Sequence, residues 1–302
     1  MEKAIQELKK LKARKIFVQF GEGLKLRIQD ITRQLEREGF DVVLCCEVCF
    51  GACDIREAEA EALGCDAILH VGHEKFLEKT KLPVVYWEYF LKANPCPILD
   101  KEFDKLKNYE NIGLITSIQF VKTIPLIKNY LETKGKKVFV YKALQYPGQV
   151  LGCDLRAAKA IEKKVDCFLC ISAGKFYALG VIFEVEKPVL CLDLERKEIY
   201  DLAELKKKIQ KIKAWNRAQF NEAKRIGLLI SWKKGQVKLP YDLKKRLENA
   251  GKEVYLLAMD EITPEKLEGL KLDFLIAYAC PRIGVDDLER FTIPLLNVED
   301  II

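Results

Sequence analysis

Histidine is scarce in this chain of 302 residues, which contains only His70 and His73. No apolar run approaches the roughly 18 residues that a transmembrane helix needs, and residues 1–15 predict a charged amphipathic helix. The sequence has no P-loop, and Gly21-Glu-Gly23 lacks the third glycine of a dinucleotide-binding fingerprint. With so few histidines, a Ser-His-Asp triad has no support. These absences argue against a membrane protein, a phosphate-loop enzyme and a triad hydrolase.

Cysteine is abundant, with 11 residues in the chain. An odd number without an export signal argues against a disulfide framework, so we expect a cytoplasmic protein whose thiols bind metal or pack as small apolar groups. The net charge is +6, and the lysine-rich segments alternate with apolar or acidic residues at helical spacing. Aromatic residues are not interleaved with them, so neither nucleic acid nor membrane is an expected partner.

A pattern of strands and helices recurs three times along the chain. Each repeat starts with an apolar strand, continues with an amphipathic helix that ends near a glycine, and contains three further apolar strands. The first strands are predicted at 15–20, 111–116 and 226–231, and the helices at about 24–38, 120–134 and 239–250. Short apolar runs separated by helices are typical of parallel sheets covered on both faces. The sequence therefore predicts an α/β fold of three similar parallel-sheet units, 1–105, 106–205 and 206–302, arranged with pseudo-threefold symmetry around a central site.

One cysteine in each repeat lies in a loop after a predicted strand. Cys53 and Cys153 follow the second strand, just before helices expected to begin at Asp54 and Asp154, whereas Cys280 follows the third strand. Loops beyond the carboxyl ends of parallel strands usually carry the functional site. Three thiolates without a clear fourth ligand suit a [4Fe-4S] cluster with one open iron, while structural zinc usually takes four ligands. We therefore favour these three cysteines as one metal site.

A compact group of cysteines offers a rival ligand set. Cys46, Cys49 and Cys53, with Cys45 beside them, have the spacing of a locally wrapped cluster. Neighbours in a strand face opposite sides, so we expect at least one of Cys45 and Cys46 to pack in the core. Whether Cys46 or Cys49 contributes to a cluster stays open at this point. The other cysteines, for which packing is expected, are Cys65, Cys96, Cys167, Cys170 and Cys191.

Turns that follow the first strand of each repeat are candidates for cofactor or substrate contacts. The candidate residues are Gly21 and Gly23 in the first repeat, Ser117 and Gln119 in the second, and Gln236 in the third. Backbone amides in such turns can approach a polar ligand closely, although ordinary turn roles explain them equally well. His70 and His73 can bind metal or carry protons, but hydrogen-bonded loop histidines are more common.

Three segments of the chain together resemble the archaeal diphthamide biosynthesis radical enzyme. They are Phe50-Gly-Ala-Cys-Asp54, Tyr146-Pro-Gly-Gln-Val-Leu-Gly-Cys-Asp154 and Ala279-Cys-Pro-Arg-Ile-Gly-Val-Asp-Asp287. Each motif alone is weak, but three in order on three repeats are specific, and the resemblance covers essentially the whole chain. It implies a non-classical radical S-adenosylmethionine enzyme in which Cys53, Cys153 and Cys280 hold a [4Fe-4S] cluster.

The resemblance also implies the reaction and the partners. A 2-(3-amino-3-carboxypropyl)histidine synthase transfers the 3-amino-3-carboxypropyl group of S-adenosylmethionine to imidazole C2 of a histidine in elongation factor 2, the first step of diphthamide biosynthesis. The expected assembly is a homodimer served by an electron donor. Arg282, two residues past Cys280, is a candidate to bind the substrate carboxylate, and a salt bridge to Asp286 or Asp287 is the structural alternative. A quinolinate synthase-like [4Fe-4S] enzyme and a non-catalytic metal-binding scaffold subunit are the alternative functions.

Overall fold

A computed structural model describes residues 1–301 and contains three β-sheets with the same order of their first four strands. Contacts divide the chain into two compact units. The N-terminal unit comprises Met1–Leu91 together with Lys233–Gln236, and the C-terminal unit comprises the remaining described residues. None of the helices between residues 1 and 301 combines the length and apolar character needed to cross a bilayer.

The N-terminal unit contains one parallel sheet with strand order β2-β1-β3-β4. Its strands are β1 (Lys15–Phe20), β2 (Asp41–Leu44), β3 (Ala67–Val71) and β4 (Val84–Trp87), and its helices are α1 (Glu2–Lys10), α2 (Lys25–Arg37) and α3 (Glu57–Ala62). Helix α2 buries Ile28, Ile31 and Leu35, whose spacing places them on one face. The chain turns after α2 at Gly39, where φ is +92° and glycine is favoured.

The C-terminal unit contains the other two sheets. The elements of the second sheet are β5 (Asn111–Thr116), β6 (Lys137–Phe139), β7 (Cys167–Ser172), β8 (Val189–Asp193) and β9 (Glu198–Asp201), with helices α4 (Cys96–Glu102), α5 (Ile124–Thr133), α6 (Arg156–Lys159) and α7 (Phe176–Glu184). The third sheet has strands β10 (Arg225–Ser231), β11 (Glu253–Met259), β12 (Phe274–Ala277) and β13 (Leu295–Asn297), with helices α8 (Ala203–Glu222), α9 (Tyr241–Asn249) and α10 (Ile283–Asp286). Buried side chains of both sheets, including Phe168, Leu229 and Leu275, share one core.

The predicted fold of three parallel α/β sheets is confirmed, with local differences. Strand β9 pairs antiparallel with β8, which the sequence did not predict. The helices expected to begin at Asp54 and Asp154 begin later, at Glu57 and Arg156. The helix expected from residue 120 begins as a 3-10 turn, and its α-helical part starts at Ile124, just before a proline that favours the first turn. The unit boundaries after residues 105 and 205 stay predictions.

An aspartate immediately before the third strand of each sheet accepts backbone hydrogen bonds from the start of the first strand. The donors to Oδ2 are the amides of Arg14 and Lys15 for Asp66 (2.7 and 2.8 Å), of Glu110 and Asn111 for Asp166 (3.0 and 2.8 Å), and of Lys224 and Arg225 for Asp273 (3.2 and 2.8 Å). Backbone N–H groups lower the pKa of Asp66 and Asp166, and the Arg225 guanidinium, with these amides, lowers the pKa of Asp273 to about 2. Each aspartate, in its ionised form, therefore links the amino-terminal ends of the first and third strands of its sheet.

Replacing Asp273 by asparagine is expected to lower the free energy of unfolding near neutral pH and to have a clearly smaller effect at about pH 2.5. The folded-state pKa of Asp273 lies below the unfolded value, so its contribution is present above about pH 4 and is lost as the pH falls towards 2. Urea unfolding at both pH values measures the difference, with the exposed Asp242→Asn as control. An equal deficit at both pH values would contradict the charge-based explanation.

Candidate metal centre at the strand ends

Cys53 lies in the loop that follows β2, at the carboxyl edge of the N-terminal sheet. The fully buried Gln19 on β1 fixes this loop, because its Nε2 donates to the carbonyl of Asp54 (2.6 Å) and its Oε1 accepts from the amide of Arg56 (3.3 Å). The amide of Gly235 donates to the carbonyl of Cys53 (2.8 Å). The backbone from Cys53 to Arg56 is thus held by hydrogen bonds.

The segment Lys233–Gln236 closes over the Cys53 loop within the same unit. A Cβ atom at Gly235 would lie 2.6 Å from the Cβ and 2.7 Å from the Cα of Cys53, so only glycine permits this approach. Lys233 pairs with Asp54 at 2.5 Å, and both side chains are at most 5% exposed. Lys234 pairs with Glu57 at 2.5 Å. Two ion pairs and a glycine contact therefore set the position of the predicted ligand.

The thiol of Cys53 has a polar neighbour of its own. Gln236 Nε2 donates to Cys53 Sγ at 3.4 Å. Burial raises the pKa of the Cys53 thiol, and the hydrogen bond from Gln236 opposes that shift. Gln236, predicted as a cofactor or substrate contact, thus forms a hydrogen bond with the sulfur of a predicted metal ligand.

Cys153 is exposed and lies beyond β6 in the C-terminal unit. The segment before Cys153 runs along β5. The amide of Val150 donates to the carbonyl of Thr116 (2.9 Å), and the amide of Thr116 donates to the carbonyl of Gly148 (2.8 Å). A short turn follows, in which the amide of Leu151 donates to the carbonyl of Asp154 (2.9 Å). Cys153 sits inside this turn, with its side chain accessible.

Cys280 is half-buried and follows β12 in the same unit. Arg282, two residues after Cys280, contacts Gly152, the residue before Cys153. A Cβ atom at Gly152 would lie 3.4 Å from Arg282 Cγ and 2.8 Å from the ring of Phe176. The C-terminal unit therefore brings together the immediate neighbours of two of the three predicted ligands.

Arg282 is buried and engaged in structural contacts. Its Nε and Nη2 donate to the two carboxylate oxygens of Asp286 (2.6 and 2.8 Å), and Nη2 also donates to the carbonyl of Phe176 (2.6 Å). The guanidinium lies 4.0 Å from the centre of the Phe176 ring. Nη1 has no hydrogen-bond partner among residues 1–301 and packs against Gly180, where a Cβ atom would lie 2.2 Å away. The alternative salt bridge is formed with Asp286, and carboxylate binding by Arg282 stays a prediction.

The remaining turn candidates lie at the ends of β1 and β5. Gly21 is half-buried and donates its amide to the carbonyl of Val71 (3.3 Å), while Gly23 is exposed. Ser117 is buried at the start of a 3-10 turn, and Gln119 is half-buried within that turn. Their positions follow the predicted topology, and their contacts with a cofactor or substrate stay predictions.

The two histidines meet at the end of β3 in the N-terminal unit. His70 Nε2 and His73 Nδ1 are 2.9 Å apart, and a Cβ atom at Gly21 would lie 3.5 Å from the ring of His73. Burial lowers the pKa of His73 to about 4 and that of His70 well below its usual value. Both imidazoles are therefore neutral near physiological pH. Each is hydrogen-bonded, which is the role that the sequence favours for them, but their bond to each other was not predicted.

The other cysteines divide into packed and accessible thiols. Cys45 is buried in a core with Phe17 and Ile55, whereas Cys46 is exposed, which confirms that at least one of this pair packs. Cys49 is buried, and burial raises the pKa of its thiol to about 12. The cysteines that are also buried are Cys65, Cys167, Cys170 and Cys191, while Cys96 is half-buried at the start of α4. Packing explains Cys45, Cys65, Cys167, Cys170 and Cys191.

The family described as "Putative diphthamide synthesis protein" matches residues 20–301. The chain belongs to this family. A relative from Pyrococcus horikoshii, named 2-(3-amino-3-carboxypropyl)histidine synthase, is 29% identical over 304 residues that cover 98% of this chain and 87% of the relative. A relative of the same name from Methanocaldococcus jannaschii is 28% identical over 332 residues, with 99% of this chain and 87% of the relative covered.

A solved structure of the family shares the fold of this chain. The crystal structure of Dph2 from Pyrococcus horikoshii with a 4Fe-4S cluster has a TM-score of 0.88 and 28% identity, and the match covers 99% of this chain and 88% of that one. Membership of the family and the three-sheet fold are thus established together, and both agree with the resemblance seen in the sequence.

Proposed function

We propose that this chain is a 2-(3-amino-3-carboxypropyl)histidine synthase that modifies a histidine of elongation factor 2 in the first step of diphthamide biosynthesis. The observation that carries the proposal is the family match over residues 20–301, together with relatives of that name along nearly the whole chain. The same match favours the transferase over a quinolinate synthase-like enzyme. We further propose a homodimer in the cytoplasm that receives electrons from a separate donor.

The residues proposed to hold the [4Fe-4S] cluster are Cys53, Cys153 and Cys280. The donor set fits, because thiolate is the usual ligand of cluster iron, each thiol follows a parallel strand, and none is locked in a disulfide. When bound, the cluster supplies one electron for reductive cleavage and an open coordination position. Gln19 and the Lys233–Asp54 pair position the Cys53 loop, and Gln236 donates to its sulfur.

The overall transfer balances without net oxidation. The bond between the sulfonium sulfur and the γ-carbon of S-adenosylmethionine breaks, and a bond from that carbon to imidazole C2 forms. Methylthioadenosine leaves, the proton on C2 is released, and the electron that started cleavage is returned. The enzyme must orient the sulfonium so that the γ-carbon bond breaks rather than the bond to ribose, which makes positioning the main task of the binding residues.

Modification of the protein substrate tests the function. Anaerobically reconstituted enzyme, dithionite and S-adenosylmethionine are incubated with elongation factor 2, whose intact mass and modified peptide are then measured. The proposal predicts addition of one 3-amino-3-carboxypropyl group to one histidine, and none when that histidine is replaced. A protein that holds its cluster but leaves elongation factor 2 unmodified would instead be a scaffold subunit.

Gln236→Leu is expected to lower the midpoint potential of the reconstituted cluster by about 20–60 mV, because a hydrogen bond to a ligating sulfur stabilises the more negative, reduced state. Potentiometric titration followed by electron paramagnetic resonance measures the shift. Gln34→Leu, at an exposed position on α2, is the matched control and should leave the potential unchanged. An unshifted potential in Gln236→Leu would show that this amide does not act on a cluster ligand.

A further inference from the structure

A second group of metal-ligand side chains lies beside the Cys53 loop in the N-terminal unit. Cys49, His70 and His73 each offer one ligand atom such that all three atoms lie within 4.8 Å of one another. Among residues 1–301, no other set of three His, Cys, Asp or Glu side chains converges in this way. Neither Cys153 nor Cys280 belongs to this group, so it is separate from the three-cysteine centre proposed above.

The fold places these side chains at one sheet edge. His70 is near the end of β3, and Cys49 lies in the loop that follows β2, on the other side of β1. Gly72 has a φ of +101°, which turns the chain back and brings His73 against His70. The arrangement thus depends on three separate segments, as ligand sets built by a fold usually do.

The separation of the two imidazole nitrogens is close to that in a zinc site. Tetrahedral zinc with Zn–N bonds of about 2.0–2.1 Å holds its two imidazole nitrogens about 3.3 Å apart. His70 Nε2 and His73 Nδ1 are 2.9 Å apart, so the zinc geometry requires them to separate by a few tenths of an ångström and the rings to rotate until both nitrogens face the ion. A sulfur with two imidazole nitrogens is a ligand set that suits zinc better than magnesium or calcium.

Burial supports a ligand role over ordinary packing. His70 is 0% exposed, and in the described part of the chain its one side-chain hydrogen bond is that of Nε2 with His73, because Nδ1 on the other side of the ring finds no partner. Cys49 is 3% exposed and has only a long contact with the carbonyl of Gly51 (3.7 Å). Buried polar groups usually have good partners, and these two side chains have few. His73 and the neighbouring Gly21 are half-buried, which leaves one side of the group accessible.

We infer that Cys49, His70 and His73 form a zinc-binding site distinct from the three-cysteine centre. Binding would replace the hydrogen bond between the imidazoles by two Zn–N bonds, add one Zn–S bond and release the thiol proton to solvent. Three protein ligands leave a fourth position for water or another small ligand on the accessible side. This site does not depend on the proposed transfer reaction.

Metal analysis of matched variants tests the site. Reconstituted protein is incubated with one equivalent of zinc, desalted, and analysed for zinc and iron by plasma mass spectrometry, with zinc X-ray absorption to identify the ligands. Wild-type protein should retain one zinc per chain with two nitrogen ligands and one sulfur ligand. Cys49→Ala and His73→Gln should lose the zinc and keep the iron, whereas Cys53→Ala should lose the iron and keep the zinc.

A nearby buried cysteine provides the control for the zinc site. Cys45→Ala, a buried cysteine four positions earlier in the same segment, should keep both metals. Failure of wild-type protein to retain zinc, or retention of zinc by Cys49→Ala, would overturn the site. Loss of iron from Cys49→Ala would show that this thiol serves the cluster instead. Failure of the transfer reaction alone would leave the zinc result standing.

Discussion

Alanine at Cys53, Cys153 or Cys280 is expected to abolish the iron and sulfide content of the reconstituted protein. Each replacement leaves two thiolates, and a [4Fe-4S] cluster with three protein ligands has no spare cysteine in the proposed centre. The expected loss of iron is at least about tenfold, because removal of a ligand costs more metal affinity than removal of an outer-shell partner does. Iron and sulfide analysis with the visible absorption spectrum measures it.

Cys153→Ala is the most informative of these three variants. Cys153 is exposed, so its loss removes little packing, and an absent cluster could not be attributed to misfolding. Cys65→Ala is the control, because Cys65 packs in a core. This variant should be less stable than the wild-type protein but should keep the full iron content. Loss of iron from Cys46→Ala together with full iron in Cys153→Ala would instead support the compact cysteine group.

Lys233→Met is expected to destabilise the N-terminal unit by about 3–5 kcal/mol, because it leaves the Asp54 carboxylate buried without its main counter-charge. Denaturant unfolding of the apoprotein measures the change. Lys9→Met, which removes an exposed ion pair with Glu38 in the same unit, should shift stability by less than about 0.5 kcal/mol. Lys233→Met combined with Asp54→Leu should recover part of the loss, since both charges are then removed.

The expected result for Lys233→Met also concerns the metal centre. Asp54 directly follows Cys53, so loss of the buried Lys233 charge beside its carboxylate would disturb the loop that carries the predicted ligand. A variant with unfolding behaviour equal to that of wild-type protein would show that this ion pair does not stabilise the loop. The Cys53 position would then have to be explained by Gln19, Gly235 and the Lys234–Glu57 pair.

The repeated architecture could be predicted because its signals are local. Short apolar strands and glycine-terminated helices depend on neighbouring residues, and Gly39, Gly135 and Gly251 all adopt the positive φ expected after a helix. The placement of Cys280 after a third strand, rather than a second, was also predicted and is observed. Strand β9 was missed because its polar sequence and antiparallel pairing lack the continuous apolar pattern used for the others.

The contacts around Cys53 could not be predicted because they join distant parts of the chain. Two adjacent lysines, Lys233 and Lys234, are typical of an exposed segment. Lys233 is nevertheless buried against the carboxylate of Asp54, 179 positions away in the sequence. Gln19 is one polar residue in an apolar strand and carries no signal that it fixes the loop beside Cys53. The approach of His70 to Cys49 likewise depends on the strand order, which places both loops beside β1.

The nucleoside product of the reduced enzyme tests the central claim most directly. Reconstituted protein is incubated anaerobically with dithionite and with S-adenosylmethionine labelled in its aminocarboxypropyl carbons, in the presence of elongation factor 2. The account predicts methylthioadenosine as the main nucleoside and transfer of the label to elongation factor 2, both absent in Cys153→Ala. 5′-Deoxyadenosine as the main product, or methylthioadenosine formed equally well by Cys153→Ala, would contradict it.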